Sequence, residues 1–540
     1  MLTLLAGGRI LDPANGRDET GDLWFEDGRI VAPDGRAPDA RHDASGLIVL
    51  AGGIDIHSHI AGATVNTARL LLPELRDEPS VDCVPVSEVI GRLYAAMGFT
   101  LVVEPAIPPH SAMQAQVEVA AIPFIDRAIL AVLGNEDFLV RLLRDGESAD
   151  AVADYAGRAL VGTRALGIKT INPGAAAAFR ENVRSFGLDD EVPGTGVTSR
   201  AIIKALQGAV DRLGVPHPLH LHCSNLGVPG NVETALATIE AAEGRRLHLA
   251  HLQFYAYGTE GPRQFSSAAP RLAEAVNRHK SLTVDVGQVM FGQTVTVSCD
   301  ILRQFGAHDV AYPRKYSISD SESQGFGVVP YRYRRTNFHN AVQWAAGLEL
   351  FLLTDDPWRV QFTTDHPNGA PFTSYPDLFA LLMDRELRAQ WIETLPKDAM
   401  QVTTLPGITR EYTWPEIATM TRAAPARLLG LSDRGHLAPG GRADIAAYRP
   451  QADKAAMFRA PALVFKDGEL IVQDGETLRR EGGGHRFGRV LTVRPGFDQQ
   501  IEGRLGRFYE DHYGVSPSLF DVAESVLPRQ GSFEGVPCRA

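Results

Sequence analysis

Cysteine is scarce in this chain, with four residues in 540: Cys83, Cys223, Cys299 and Cys538. They lie far apart and form no CxxC pair. That argues against a disulfide framework and for a reducing compartment, the cytoplasm. Long hydrophobic runs are missing too. No stretch reaches the roughly 18 apolar residues that a membrane span requires, and no basic amphipathic segment marks a membrane surface. The opening Met-Leu-Thr-Leu-Leu-Ala-Gly-Gly has no basic n-region and turns polar at once, so it reads as a strand and not as a signal peptide. Positive charge is in deficit: 53 Lys and Arg face 65 Asp and Glu, for a net charge of −12. Phosphate backbones need a net basic face, so a general nucleic-acid role does not fit. A local basic pocket for an anionic ligand remains compatible. Internal repeats are absent.

What is present is ordinary globular composition, 44% hydrophobic and 22% charged. A length of 540 residues suits a large barrel with an added domain or two. Residues 1–50 read as short strands between turns, for example Asp22-Leu23-Trp24-Phe25-Glu26-Asp27-Gly28-Arg29-Ile30-Val31. Gly440–Tyr448 and Ala462–Gly475 have the same texture. Both chain ends are therefore expected to build one small β-sandwich domain, 1–50 with 426–485. Residues 51–425 are inserted between them, and 486–540 form a loop-rich C-terminal extension.

The middle alternates apolar strand-like runs with helical segments, the pattern of parallel β/α units. Eight candidate strands can be read. They are the run ending at His59, then 99–104, 128–133, 167–171, 218–222, 247–251, 282–289 and 360–365. Eight is the number that closes a (β/α)8 TIM-like barrel, so the expected fold class is α/β. The segment 290–358, with Tyr316, Tyr331, Arg332, Tyr333, Arg334 and Arg335, reads as an insertion near the mouth of the site.

Six residues fall at or near the C-terminal ends of these strands: His57, His59, Lys169, His222, His251 and Asp365. A strand alternates its side chains between faces, so His57 and His59 point the same way and can bind one metal ion together. His222 and His251 supply nitrogens to a second ion. Asp365 can ligate and can also take a proton. Lysine is the odd member, because an ammonium repels metal; carboxylated by CO2, Lys169 becomes an anion able to bridge two ions. The chemistry this predicts is attack of hydroxide on a polarised carbonyl, with Asp365 passing the proton to a leaving amine. Zinc is the first expectation for the two divalent ions, with manganese or iron open on the same ligands. His220 and His248, on the same strands but further from their ends, are placed off the metal.

The chain resembles the amidohydrolase superfamily over about 1–450. The segments Ala423–Leu431 and Gly435–Ile445 return the barrel to the small sheet as they do in that superfamily. A narrower resemblance is carried by several motifs. They are Gly53-Ile-Asp-Ile-His-Ser-His59 with Val65, Asn66, Arg69, Pro73 and Glu74; Gly167–Gly174; His220–Gly227; His251–Phe254; Asp285–Gly292; and Thr364–Gly369. These are similar to the formyl-hydrolase family, the A subunits of formylmethanofuran dehydrogenase and of the methylotroph formyltransferase/hydrolase complex. The resemblance implies hydrolysis, or reversible condensation, of an N-formyl furfurylamine cofactor (formylmethanofuran or formylmethylofuran) to formate and free amine, in one-carbon metabolism. It implies the same metal ligands, with Lys169 carboxylated. It also implies a multi-subunit complex with a formyltransferase, and a formyl carrier with an anionic tail. Arg69 and the cluster Arg332, Arg334 and Arg335 are candidates to hold that tail, and Asn66 and Asn172 to bind substrate. Another amidohydrolase acting on cyclic amides, of hydantoinase or dihydroorotase type, would share the metal residues. A non-catalytic barrel scaffold would normally lose one of them, and here all six are filled.

Overall fold

The structure is a computed structural model and describes residues 1–71, 83–298, 300, 306–314, 327–478, 488–526 and 532–539. Pro73, Glu74, Cys299 and Tyr316, named above, lie outside the described residues.

The centre is a closed ring of eight strands: β1 (Gly53–Asp55), β2 (Phe99–Ile107), β3 (Asp126–Val132), β4 (Gly167–Ile171), β5 (Leu219–His222), β6 (Leu247–Leu249), β7 (Leu282–Asp285) and β8 (Val360–Gln361). Each pairs in parallel with its sequence neighbour. A parallel bridge between Ser58 and His366 closes the last strand onto the first, and His59 N–H donates to His366 O at 2.7 Å. The strands are near-continuous apolar runs because helices cover them outside and side chains fill them inside. All seven residues of β3 are buried. The fold class expected from the sequence, a (β/α)8 barrel with a small β-domain, is what the chain forms.

That β-domain is a nine-stranded sheet drawn from both ends of the chain, with Ile445–Tyr448 pairing antiparallel to Ile48–Ala51. The sheet folds over its own core, so that Phe25 and Phe465, from strands far apart in its order, meet edge to face at 5.2 Å. Two further strands, Arg489–Val493 and Ser532–Val536, extend the barrel sheet: the first pairs with the N-terminal part of β3 that β4 leaves unpaired, Val490 opposite Arg127. Helices α1 (Ala63–Leu71), α2 (Asp137–Arg144) and α3 (Ala149–Thr163) follow β1 and β3, and α4 (Gln500–Tyr513) packs on α3. Among the described residues no helix is long and apolar enough to cross a membrane.

Candidate metal centre and active-site cleft

The ends of five of the eight strands bring His57, His59, Lys169, His222, His251 and Asp365 into one group, all but His59 buried. His57 Nε2 lies 3.1 Å from Asp365 Oδ1 and 3.3 Å from Lys169 Nζ. His59 Nε2 is 3.2 Å from the same carboxylate oxygen. Across the ring His222 Nδ1 faces His251 Nε2 at 3.1 Å. Asn172, His251 and Asp365 hold left-handed backbone angles, φ of 36°, 35° and 51°. Side-chain-bearing residues avoid that region, and such strain collects where function dictates geometry.

The donor set fits divalent metal. His57, His59 and Asp365 offer three ligand atoms all within 4.8 Å of one another. Asp365 Oδ1 and His251 Nδ1 are buried and make no hydrogen bond, and a buried polar atom without a partner calls for explanation. Burial keeps His222 and His251 below the ordinary imidazole pKa, hence neutral and able to ligate. Burial pushes the Asp365 carboxyl up, but His251 and His57 outweigh it and hold it well below the usual carboxylate range. His59 is pushed down by burial and raised further, to about 9, by the Asp365 and Glu104 carboxylates.

Behind the ligands stands a set of acids that sequence reasoning left without a role. Asp285 Oδ2 accepts from His57 Nδ1 at 2.9 Å and from His248 Nε2 at 3.1 Å, while Oδ1 accepts the His251 backbone N–H at 2.7 Å. One carboxylate thus fixes three histidines and directs His57 Nε2 toward Asp365. His57, His220 and Asp285 are also close enough for an ion. They already contact one another: His220 Nε2 stands 3.1 Å from His57 Nδ1 and 3.6 Å from Asp285 Oδ2, and His220 Nδ1 pairs with His217 Nε2 at 3.1 Å. Glu104 accepts the backbone N–H groups of Ile60 (2.6 Å) and Ala61 (2.9 Å) and holds His59 Nδ1 at 3.3 Å. Asp300 faces His222 Nε2 at 3.4 Å. Asn368 donates to Asp365 Oδ2 at 3.0 Å and accepts from Val297 N–H at 2.7 Å. The available signal was an acid near the C-terminal end of a barrel strand, as Glu104 in β2 and Asp285 in β7 are.

The group opens into a cleft with an empty volume of about 950 Å3, walled by Ala61, Ile107, Leu226, Phe254, Val297 and Tyr333 among others. Val297 and Tyr333 come from the antiparallel hairpin Gly292–Ser298 and Gly327–Tyr333, so the inserted segment does reach the mouth. Asn66, Arg69 and Asn172 are placed differently: none is among the residues lining the cleft. Arg69 is buried and donates to Ile60 O (2.8 Å), Pro85 O (2.9 Å) and Asn66 Oδ1 (2.7 Å). Asn66 also donates to Glu118 at 2.6 Å. Asn172 is held by Ser224 and by Asp300 and supports the end of β5. All three side chains are thus held by contacts within the protein beside the cleft. Arg335 lies over Trp391, 3.7 Å from the ring centroid, whereas Arg332 and Arg334 are exposed.

A parallel eight-stranded barrel with this histidine, lysine and aspartate set at its C-terminal mouth is the architecture of a metal-dependent hydrolase. The chain matches the amidohydrolase family model over residues 42–477, and it belongs to that family. It is similar over its full length to the A subunit of the formyltransferase/hydrolase complex Fhc of Methylorubrum extorquens, at 49% identity with all of both chains covered. It is 35% identical to protein FwdA of Methanocaldococcus jannaschii, with 96% of each chain covered. Among solved structures it superposes with TM-score 0.94, at 49% identity and over all of both chains, on the crystal structure of the formyltransferase/hydrolase complex FhcABCD from Methylorubrum extorquens in complex with methylofuran.

Proposed function

We propose that this chain hydrolyses the N-formyl amide of a formylated furfurylamine cofactor of the methanofuran or methylofuran type, giving formate and the free amine. The observation that carries the reading is the convergence of all six candidate residues on one site, five of them lining the cleft and His57 buried behind it, in a chain 49% identical to the Fhc A subunit. His57, His59 and Asp365 would hold one divalent ion and His222 and His251 a second, with Lys169, as its CO2-derived carboxylate, shared between them. Two such ions, zinc in the simplest case, polarise a carbonyl and make bound water acidic enough to react near pH 7.

The protein's own groups then act in order. The apolar wall of the cleft excludes bulk water and seats the formyl group. Asp365, ionised and held at Oδ2 by Asn368, takes the proton of the attacking water as the C–O bond forms. It returns that proton to the amide nitrogen as the C–N bond breaks, so the products are formate and amine. Glu104 and Asp285 keep His59 and His57 in place throughout.

The superposed relative was crystallised as the FhcABCD complex with methylofuran. By that likeness the chain works as the corresponding component of a cytoplasmic assembly beside a formyltransferase. Arg332, exposed on the hairpin, and Arg334, exposed just beyond it, are our candidates for an anionic cofactor tail. The test is formate release from an N-formyl furfurylamine cofactor by the purified protein, with metal content measured on the same sample. Formate with about two metals per chain supports the reading. Turnover of hydantoin or dihydroorotate instead would move the substrate to a cyclic amide.

A further inference from the structure

Glu136 is a carboxylate the active site does not use. It lies in the loop after β3, on the same barrel face as the metal centre, and begins α2. Beside it a second cavity, with an empty volume of about 1590 Å3, opens between α2, α3 and α4. Its walls carry Phe138, Tyr155, Phe508, Tyr509, Tyr513 and Phe520. Pro108 and His110 line both this cavity and the catalytic cleft, so the two spaces share a wall.

The charges in the cavity are not balanced evenly. Arg158 pairs with Asp521 at 2.6 Å and with Glu502 at 2.5 Å, and Arg180 with Asp137 at 2.5 Å. Both guanidiniums are therefore neutralised in place. Glu136 has backbone partners, Gly134 N–H donating to its Oε2 at 2.8 Å, and among the described residues it forms no ion pair. Arg180 acts on it only from a distance, and burial pushes its carboxyl up to about 7.

A half-buried carboxyl among aromatic side chains attracts a cation, which in turn favours its ionised form. The ring quadrupoles are negative on their faces, and partial loss of water strengthens the attraction. A hard metal ion needs several oxygen ligands and finds one carboxylate here. An anion would meet Glu136. A primary ammonium on a flat ring satisfies both features, its N–H groups reaching the carboxylate and its ring lying among Tyr155, Tyr509 and Tyr513.

We propose that this cavity binds a ring-borne primary ammonium and that it receives the deformylated amine leaving the neighbouring cleft; the second part rests on the hydrolase reading above. The probes are furfurylamine, its neutral counterpart furfuryl alcohol, and phenethylamine, titrated calorimetrically into the full metal-loaded protein. Furfurylamine should bind, and Glu136→Gln, which keeps the acceptor for Gly134 N–H, should weaken it about tenfold or more while leaving the alcohol unchanged. Tyr513→Leu, at a side chain 53% exposed, should weaken furfurylamine several-fold without a risk to folding. Asp365→Asn should leave furfurylamine affinity within about twofold. Tighter binding of furfurylamine than of phenethylamine supports the product as occupant, and equal binding supports a general ammonium site only. Equal affinity for the alcohol, or an affinity untouched by both cavity variants, overturns the proposal. Glu136-dependent binding without any formate release keeps the cavity and removes the hydrolase reading.

Discussion

At Asp365 burial and the neighbouring imidazoles act in opposite directions, and the imidazoles win. Burial raises its carboxyl, His251 and His57 lower it further, and the group stays ionised at neutral pH. Asp365→Asn keeps the shape and the Asn368 contact but cannot accept a proton. Formate release should fall by about 10²–10⁴-fold with the fold intact, read by steady-state kinetics and circular dichroism. Asp285→Asn tests a different role. Its carboxylate touches no cleft surface but receives the N–H groups of His57 and His248. Such partners orient a metal-binding imidazole, and their loss costs about 10–100-fold in metal affinity; metal retained after dialysis against a weak chelator would show it. The contrast explains what the sequence could reveal. His57 and His59 were legible because alternation along a strand puts both on one face. Asp285 was not, because its role exists only through contacts with histidines 34, 37 and 228 positions away. Arg69 reads from sequence as an anion binder beside a histidine motif; in the fold its guanidinium donates to two carbonyls and Asn66.

At the scale of elements, the eight strands were legible as apolar runs, but their ends were not. The last strand, expected over 360–365, stops at Gln361, and the seventh, expected to 289, stops at Asp285. Beyond those points the chain leaves extended geometry so that Asp365 and Gly287, at φ 51° and 67°, can turn across the barrel mouth. No hydrophobic pattern encodes that turn. Gly287 has a second constraint: a Cβ there would lie 2.4 Å from His251 Cβ and 3.4 Å from Asp365 Cβ. Gly287→Ala must therefore displace His251 as well as strain its own backbone. It should lower both metal content and activity, by about tenfold or more. The hairpin gives the complementary case. Asn368→Ala cuts the link from Val297 to Asp365 without touching a histidine. Metal content should hold while kcat drops about tenfold. The strand Arg489–Val493 was hidden for a related reason. It is five residues long in a loop-rich segment, and pairing with the unpaired edge of β3 on one side and with Ser532–Val536 on the other makes it a strand.

Across the whole molecule, three regions distant in sequence are joined by charge at the end of the barrel opposite the cleft, the face where side chains serve stability. Asp126 begins β3 and is fully buried. Its Oδ2 lies 2.8 Å from Arg434 and 3.2 Å from Lys466, and its Oδ1 accepts Arg489 N–H at 2.7 Å. Lys466 is itself buried and pairs with Asp444 at 3.0 Å and Asp467 at 3.2 Å. Glu534, on the C-terminal strand, receives Arg442 at 2.6 Å and Arg489 at 2.9 Å. Barrel, β-domain and C-terminal strands therefore share one network. Burial would push the Asp126 carboxyl up, but Lys466 and Arg434 outweigh it and hold it far below the usual range; Asp467, likewise raised by burial and lowered more by Lys466, sits at about 2. A depressed carboxylate binds protons more readily in the unfolded chain. Its stabilisation is complete above the unfolded pKa of about 3.9 and is lost as pH falls through the folded value. The melting temperature should therefore drop steeply below about pH 4. Asp126→Asn leaves Lys466 and Arg434 buried with one anion fewer and should cost about 3–5 kcal/mol at neutral pH. The same variant should show a shallower acid slope than the parent, because the group that titrates is gone. A neutral-pH loss with an unchanged acid slope would place the acid sensitivity in other carboxylates and leave Asp126 a packing residue.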